Sequence, residues 1–112
     1  VGLDAAVADA DLVITGEGRI DSQTIHGKTP VGVARVAQRH GKPVIAIGGC
    51  LALDAAAVHG HGIAATFSTV RKACTVAEAL AGAADSLRSA SRNIAAALQL
   101  GAVVMRGEPP RR

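Results

Sequence analysis

The segment at residues 15–30, TGEGRIDSQTIHGKTP, combines glycines with both signs of charge and several small polar side chains. Its carboxylates, Glu17 and Asp21, are of the type that binds Mg²⁺ or accepts a hydroxyl proton. Its cations, Arg19 and Lys28, can hold a phosphate or a carboxylate. The alternative is a solvated loop in which the glycines only make turns and the charges only keep the loop soluble.

Two standard nucleotide-binding fingerprints both fail on this segment. In the dinucleotide pattern GxGxxG, Gly16 and Gly18 fit, but Asp21 stands where the third glycine belongs. In the P-loop pattern GxxxxGK[ST], residues 27–29 fit, but Ser22 stands where the first glycine belongs. We therefore reject both fingerprints, which weakens the case for a generic Rossmann-type nucleotide binder.

Short apolar runs alternate with helical patterns along the chain. The runs DLVIT, PVIAIG and IAATF predict buried strands at residues 11–15, 43–48 and 63–67. Helical patterns at about residues 30–40, within 49–62 and at about 75–100 follow them in turn. This alternation is typical of an α/β fold, a parallel sheet with βαβ crossovers. Open parallel sheets usually have more than three strands, so we interpret this sequence as one half of a doubly wound domain.

Two of the predicted helices have clear start signals. Thr29 and Pro30 suit the N-cap and first helical position, and Gly41 suits the end of the same helix. Thr75 and Glu78 form the capping-box pattern at the start of the last helix. The glycine-rich segment would then be a loop of about 13 residues at the carboxyl end of the first strand, a length that is uncommon unless functional. Anions bind at this place in α/β folds.

Composition excludes several classes of function. The 112 residues carry a net charge of +3, of which the tail supplies a large share through Arg106, Arg111 and Arg112. Phe67 is the single aromatic residue, so single-stranded nucleic acid would find no stacking platform. A nearly neutral body also argues against a DNA-binding or membrane-binding surface. We therefore expect neither nucleic acid nor a membrane as a partner.

The cysteines and histidines give weaker signals. Cys50 and Cys74 form no CxxC pair and have no zinc-type cluster nearby, so we interpret them as free thiols in a reducing compartment. His59 and His61 flank a glycine at a helix end, where surface histidines are commoner than metal ligands.

Two further pairs of candidate residues lie at the ends of predicted strands. Gly48 and Gly49 either line a cleft beside the glycine-rich segment or only make a turn, and the sequence leaves both readings open. Ser68 and Thr69 follow the third strand and could contact a ligand at the same edge of the sheet.

Residues 11–49, DLVITGEGRIDSQTIHGKTPVGVARVAQRHGKPVIAIGG, resemble the class I glycerate kinase family. The resemblance is carried by the patterns TGEGR-[LI]-D-x-Q-[ST], GK-[AT]-P-x-GVA and GKPVIA, and it extends over about residues 1–100. It implies that residues 1–100 are the C-terminal part of a Rossmann-like domain with three layers. Residues 101–112 fall outside it, and we expect them to be a disordered tail.

The resemblance also implies an activity. Such kinases transfer the γ-phosphoryl group of ATP to D-glycerate with Mg²⁺, giving 2-phosphoglycerate. They are much longer than this chain, so we expect the chain to be a fragment that lacks full activity alone. Its expected partners are glycerate and either the missing N-terminal part of the kinase or further copies of itself. The expected location is the cytoplasm.

Roles within the motif follow from residue type and family pattern. Asp21 is the first candidate for general base or Mg²⁺-associated carboxylate, and Glu17 is the second. Lys28 completes the catalytic candidates by stabilising the phosphoryl charge. The candidates for binding substrate are Gly16, Gly18, Arg19, Gln23 and Thr24. The alternative function is a non-catalytic remnant or α/β binding module that associates through its bare sheet edge.

Overall fold

The computed structural model describes residues 2–20, 30–51 and 55–107. Within them, three strands form a parallel sheet in the order β1-β2-β3, and helical segments connect the strands. The predicted α/β arrangement is therefore confirmed. The elements are α1 (Leu3–Ala8), β1 (Val13–Ile20), α2 (Pro30–Arg39), β2 (Val44–Leu51), a 3₁₀ helix (Ala55–His61), β3 (Ala65–Ser68), α3 (Val76–Ala81) and α4 (Ala83–Arg106).

The chain divides into two compact units, Val1–Ala73 and Cys74–Arg112. The first contains the sheet, with α1, α2 and the 3₁₀ helix. The second contains α3 and α4. The glycine-rich motif belongs to the first unit, so the first unit positions the candidate site.

The core of the first unit lies between β2 and α2. Val44 and Ala46 of β2 pack with Ala34 and Ala37 of α2, and all four are at most 1% exposed. The remaining buried members of this cluster are Val7, Ile20, Val58 and Ile63. Full burial of a Val or Ile side chain contributes roughly 1.5–3 kcal/mol. Small alanines on α2 allow the helix to approach the sheet closely.

Strand β1 is longer than the sequence predicts. It was expected to end at Thr15, yet its pairing with β2 continues to Ile20, which pairs with Leu51. The prediction of a loop beginning at Gly16 is therefore wrong. Glycines and charged residues are poor strand formers, so the sequence pattern predicted a strand that was too short. The fully buried side chain of Ile20 anchors the far end of the strand and holds the intervening residues extended.

Helix α2 begins at Pro30, as predicted. Thr29, the proposed N-cap, lies outside the described residues. The helix ends at Arg39, and Gly41 follows with φ +66°. L-residues with a side chain rarely adopt this left-handed conformation, so glycine suits the turn that leads the chain into β2.

The two later strands differ from prediction by a few residues. β2 runs to Leu51 rather than ending at Gly48, so Gly48 and Gly49 lie within the strand. The reading in which these glycines make a turn is therefore wrong. β3 begins at Ala65 rather than at residue 63 and ends at Ser68. Ile63 is instead a fully buried member of the core just before the strand.

The last predicted helix is two helices. α3 and α4 are separated at Gly82, which serves both as C-cap of α3 and as N-cap of α4. The predicted capping box is confirmed: the Thr75 hydroxyl accepts from the Glu78 amide at 3.1 Å, and a Glu78 oxygen accepts from the Thr75 amide at 3.2 Å. The hydrogen bond from the Thr75 amide, followed by that from its hydroxyl, lowers the pKa of Glu78.

Helix α4 continues to Arg106, through six residues that the sequence assigns to the tail. Residues 98–105, LQLGAVVM, contain no proline, and the helix ends only at Gly107, which has φ +70°. Residues 108–112 lie outside the described part. No helix in the described ranges is both long and apolar enough to cross a membrane.

Helix α1 was not predicted. It has six residues, and its N-cap, Gly2, makes no side-chain capping bond. Its stability comes from outside the helix: Val7 is buried in the core of the first unit, and Asp4 contacts the end of α2. A helix this short depends on tertiary packing, which local sequence does not reveal.

Candidate functional site

The carboxyl ends of the three strands lie at one edge of the sheet, because all three run parallel. Glu17 of β1 pairs with Gly48 of β2, and Gly48 in turn pairs with Ser68 of β3. The row Glu17–Gly48–Ser68 thus crosses the sheet near this edge. We call the residues from this row to the strand ends the carboxyl-end rim. Ligands of α/β proteins bind outside such an edge.

The described part of the motif lies on β1, at and just before the rim. Residues Gly16, Glu17, Gly18 and Arg19 are all exposed, whereas Thr15 before them and Ile20 after them are buried. The Oε1 atom of Glu17 accepts a hydrogen bond from the Gly18 amide at 3.2 Å. The carboxylate therefore lies against its own strand and keeps a second oxygen available to a ligand.

Strands β1 and β2 approach closely at Gly18 and Gly49. A Cβ atom added to Gly49 would lie 2.7 Å from the backbone oxygen of Gly18. Side chains do not tolerate such a distance to backbone, so only glycine fits here without a shift of β1. No described atom lies within 4 Å of the position of a Cβ on Gly18. One glycine is thus required by packing and the other is not.

The β3 part of the rim is held by local hydrogen bonds. The Thr69 amide donates to the Gly48 oxygen at 2.9 Å, which extends the contact between β3 and β2 past Ser68. The Ser68 hydroxyl accepts from the Val70 amide at 3.1 Å. This bond turns the chain away from the sheet immediately after β3. Ser68 and Thr69 therefore lie at the rim, where the sequence placed them.

Four of the predicted site residues lie outside the described residues. These are Asp21, Gln23, Thr24 and Lys28. The structure brings the other four, Gly16, Glu17, Gly18 and Arg19, together on one strand instead of in a loop. Gly48 and Gly49 lie beside them on β2, and the alternative in which this pair lines a cleft stays a prediction. The sequence already indicated Gly49 as a residue of interest, because it forms a pair with Gly48 at a predicted strand end.

Metal-ligating side chains do not cluster in the described part of the chain. No group of three or more His, Cys, Asp or Glu residues there is arranged to hold a metal ion. Glu17 is the carboxylate that the described rim supplies. His59 and His61 are exposed at the end of the 3₁₀ helix, and Cys74 is an exposed free thiol.

A separate concavity of about 580 Å³ lies along α2. It is lined by Gly32, Arg35, Val36, Gln38 and Arg39. The sequence did not single it out, although two arginines four residues apart on a helix are a visible pattern. None of these lining residues belongs to the glycine-rich motif, so we keep the rim, which carries part of that motif, as the candidate site.

Comparisons with known proteins agree with the resemblance seen in the sequence. The model of the glycerate kinase family matches residues 1–99. The chain is 54% identical over 101 residues to the glycerate 2-kinase of Escherichia coli K12, covering 90% of this chain and 26% of that protein. It is 51% identical over 100 residues to the glycerate kinase of Bacillus subtilis 168, with 89% and 26% covered.

A solved structure gives the same result. The chain matches a structure assigned as glycerate kinase 2 from Salmonella typhimurium LT2 with a TM-score of 0.63 and 52% identity. The match covers 88% of this chain and 25% of that chain. The chain therefore spans about a quarter of the length of the curated relatives and of the solved structure that it matches.

Proposed function

Because the chain belongs to the glycerate kinase family, we propose that it forms part of an ATP-dependent kinase that phosphorylates D-glycerate to 2-phosphoglycerate. The observation that carries the proposal is the family match over residues 1–99, which includes the whole glycine-rich motif. The position of that motif at the carboxyl end of β1 supports it, since this is where α/β proteins bind small anions.

The reaction to be catalysed is a phosphoryl transfer. The 2-hydroxyl oxygen of glycerate forms a bond to the γ-phosphorus of ATP, while the bond from that phosphorus to the β,γ-bridging oxygen breaks and ADP leaves. The hydroxyl proton passes to a base. Such reactions depend mainly on positioning and on neutralising charge on the phosphoryl oxygens.

The rim offers groups for both tasks. In this proposal the Arg19 guanidinium holds the glycerate carboxylate or the phosphoryl group, for which its planar array of donors is suited. The exposed backbone of Gly16 and Gly18 allows an anion to approach closely. Glu17 is a candidate base in the described part. Asp21 is the first candidate because it follows directly after β1, and Lys28 is proposed to stabilise the transferred charge.

ATP and Mg²⁺ are proposed as co-substrate and ion. The described residues do not by themselves form a Mg²⁺ site, because Glu17 is a single carboxylate with one oxygen engaged by the Gly18 amide. Asp21 is the residue of the motif that could add a second carboxylate, by its place in the sequence. Gln23 and Thr24 are proposed to hydrogen-bond glycerate. The proposed location is the cytoplasm, where ATP is available.

A complete enzyme needs more chain than is present here. The match to this chain covers only 26% of each of these two relatives, so each relative is about four times as long as the matched region. We propose that the remaining three quarters supplies the rest of the nucleotide and substrate site. The described sheet has an unpaired outer edge at β1, which supports association with further chain at that edge.

An ATP-dependent assay with D-glycerate tests the proposal. It should be run on this chain and on a protein of the relatives' full length that carries this chain in the matching position. We expect activity in the long protein and little or none in the short one. Asp21→Ala in the long protein should lower kcat by about 100-fold or more if Asp21 is the base. No phosphorylation of glycerate by the long protein would contradict the proposal.

The second candidate is a non-catalytic binding module, and the open edge of β1 favours it. An assay that shows no kinase activity at any length, together with a stable complex formed through β1, would support this alternative. Hydrogen exchange at the β1 amides, compared with and without the partner, would locate the contact.

A further inference from the structure

We propose that Gly49 of β2 is a positioning residue that sets where the carboxyl end of β1 lies, and with it the backbone of Gly18 and Arg19. The inference rests on the proposed function, because it assigns this end of β1 to the kinase site. The motif itself does not contain Gly49, which lies on the neighbouring strand about thirty residues later in the sequence.

The close approach of the two strands carries the argument. The Gly18 oxygen occupies the space that a Cβ on Gly49 would need, at 2.7 Å, and the Gly18 carbonyl carbon and Cα lie at 3.7 and 3.9 Å from the same point. All three atoms are backbone, so the clash cannot be relieved by rotating a side chain. Any residue other than glycine at this position must displace β1 relative to β2.

The displacement would reach the rim and could not be absorbed elsewhere. Ile20 after Gly18 is fully buried in the core, and Thr15 before it is also buried, so β1 is fixed on both sides of its exposed stretch. Gly18 and Arg19, by contrast, are exposed. The movable part of β1 is therefore the exposed peptide segment that the proposed function assigns to substrate.

Glycine in the middle of a strand weakens it, so its presence calls for a reason. At Gly49 the reason is the approach of another backbone, and that backbone is the one to which the proposed function assigns the substrate. Gly49 acts through Gly18 and needs no contact with substrate itself.

The test is Gly49→Ala in a protein of the relatives' full length that carries this chain. Ile63→Val is the matched control, since Ile63 is fully buried in the same core but lies before β3 rather than at the rim. We expect Gly49→Ala to lower kcat/KM for glycerate at least ten-fold. Its melting temperature should stay close to that of Ile63→Val, and Ile63→Val should keep kcat and KM within two-fold of the parent.

Hydrogen exchange gives a second readout that does not depend on activity. Gly49→Ala should raise exchange at the amides of residues 18–20 and leave the amides of α2 unchanged. Kinetic constants within two-fold of the parent would overturn the proposal, and so would an equal loss of activity in Ile63→Val. Failure of the variant to fold would overturn it too, since the contact would then serve stability alone. An inactive parent would count against the proposed function instead.

Discussion

The Nε2 atom of His40 lies 3.1 Å from Oδ1 of Asp4, and Nη2 of Arg39 lies 3.6 Å from the other oxygen of the same carboxylate. These contacts join the end of α2 to the first turn of α1. We expect Asp4→Ala to weaken the docking of α1 by under about 1 kcal/mol, because the Asp4 side chain is 65% exposed and water screens the pairs.

Chemical unfolding at low and high salt measures this effect. The loss should shrink as salt rises. Asp11→Ala is the control, since Asp11 is also an exposed carboxylate near α1 but lies beyond its end. An equal loss in both variants would show that the contacts with α2 contribute nothing.

The capping box predicts a graded response at Thr75. Thr75→Ala removes the hydroxyl that accepts from the Glu78 amide, so it should destabilise α3 by about 1 kcal/mol. Thr75→Ser retains a hydroxyl and should cost only a small part of that. Far-UV circular dichroism and chemical unfolding of both variants provide the measurement. A Ser variant as unstable as the Ala variant would argue against the hydrogen bond.

The lowered pKa of Glu78 predicts how α3 responds to acid. Because the hydrogen bonds from Thr75 hold the folded pKa of Glu78 below its ordinary value, the ionised group stabilises the folded state. This contribution is fully present above the unfolded pKa and is lost as pH falls through the lower folded pKa. Helicity followed from pH 6 to pH 2 should therefore decrease less in Glu78→Gln than in the parent. Identical acid profiles would contradict this assignment.

Two glycines near the end of α4 should respond to alanine in opposite ways. Gly101 lies inside the helix with open space around it, so Gly101→Ala should stabilise by about 0.5–1 kcal/mol. Gly107 has φ +70°, which disfavours any side chain, so Gly107→Ala should destabilise by roughly 1 kcal/mol. Each variant serves as the control for the other in an unfolding experiment. A change of the same sign in both would be inconsistent with the backbone angles.

Gly18→Ala tests whether a ligand approaches the backbone of β1. The added methyl group would meet no described atom within 4 Å, so folding should be unaffected. In the full-length kinase, we expect KM for glycerate to rise about ten-fold because the methyl group would enter the space assigned to substrate. Gly60→Ala, which also meets open space but lies on the 3₁₀ helix, should leave KM unchanged. A normal KM in Gly18→Ala would place the ligand elsewhere.

Local signals in the sequence predicted much of the fold. The start of α2 at Pro30 and the capping box of Thr75 and Glu78 were predicted correctly, because these features depend on residues a few positions apart. The number of strands in the described sheet and their parallel direction were predicted from apolar runs that alternate with helical patterns. The extent of β1 was not predicted, because Gly16 to Arg19 are held in the sheet by pairing with residues of β2 that lie about thirty positions later in the sequence.

The motif could be identified from the sequence, but the geometry of the candidate site could not. Glu17, Gly18 and Arg19 were identified from the glycine-rich segment, and they are exposed at the rim. The requirement for glycine at residue 49 emerges only when two strands are placed side by side. Helix α1 was missed for the same kind of reason, since its support comes from Val7 in the core and from Asp4 at the end of α2.

The free side of β1 has a practical consequence. Val13 donates its amide to Pro43 on the β2 side at 3.0 Å, so the peptide groups of the next residue point the opposite way, where the described sheet has no neighbour. Along the eight residues of β1, the peptide groups of every second residue are directed to this free side and could pair with a strand of another molecule. Concentrated preparations of this chain by itself should therefore associate through β1, and co-expression with a polypeptide that pairs with this side should reduce that association.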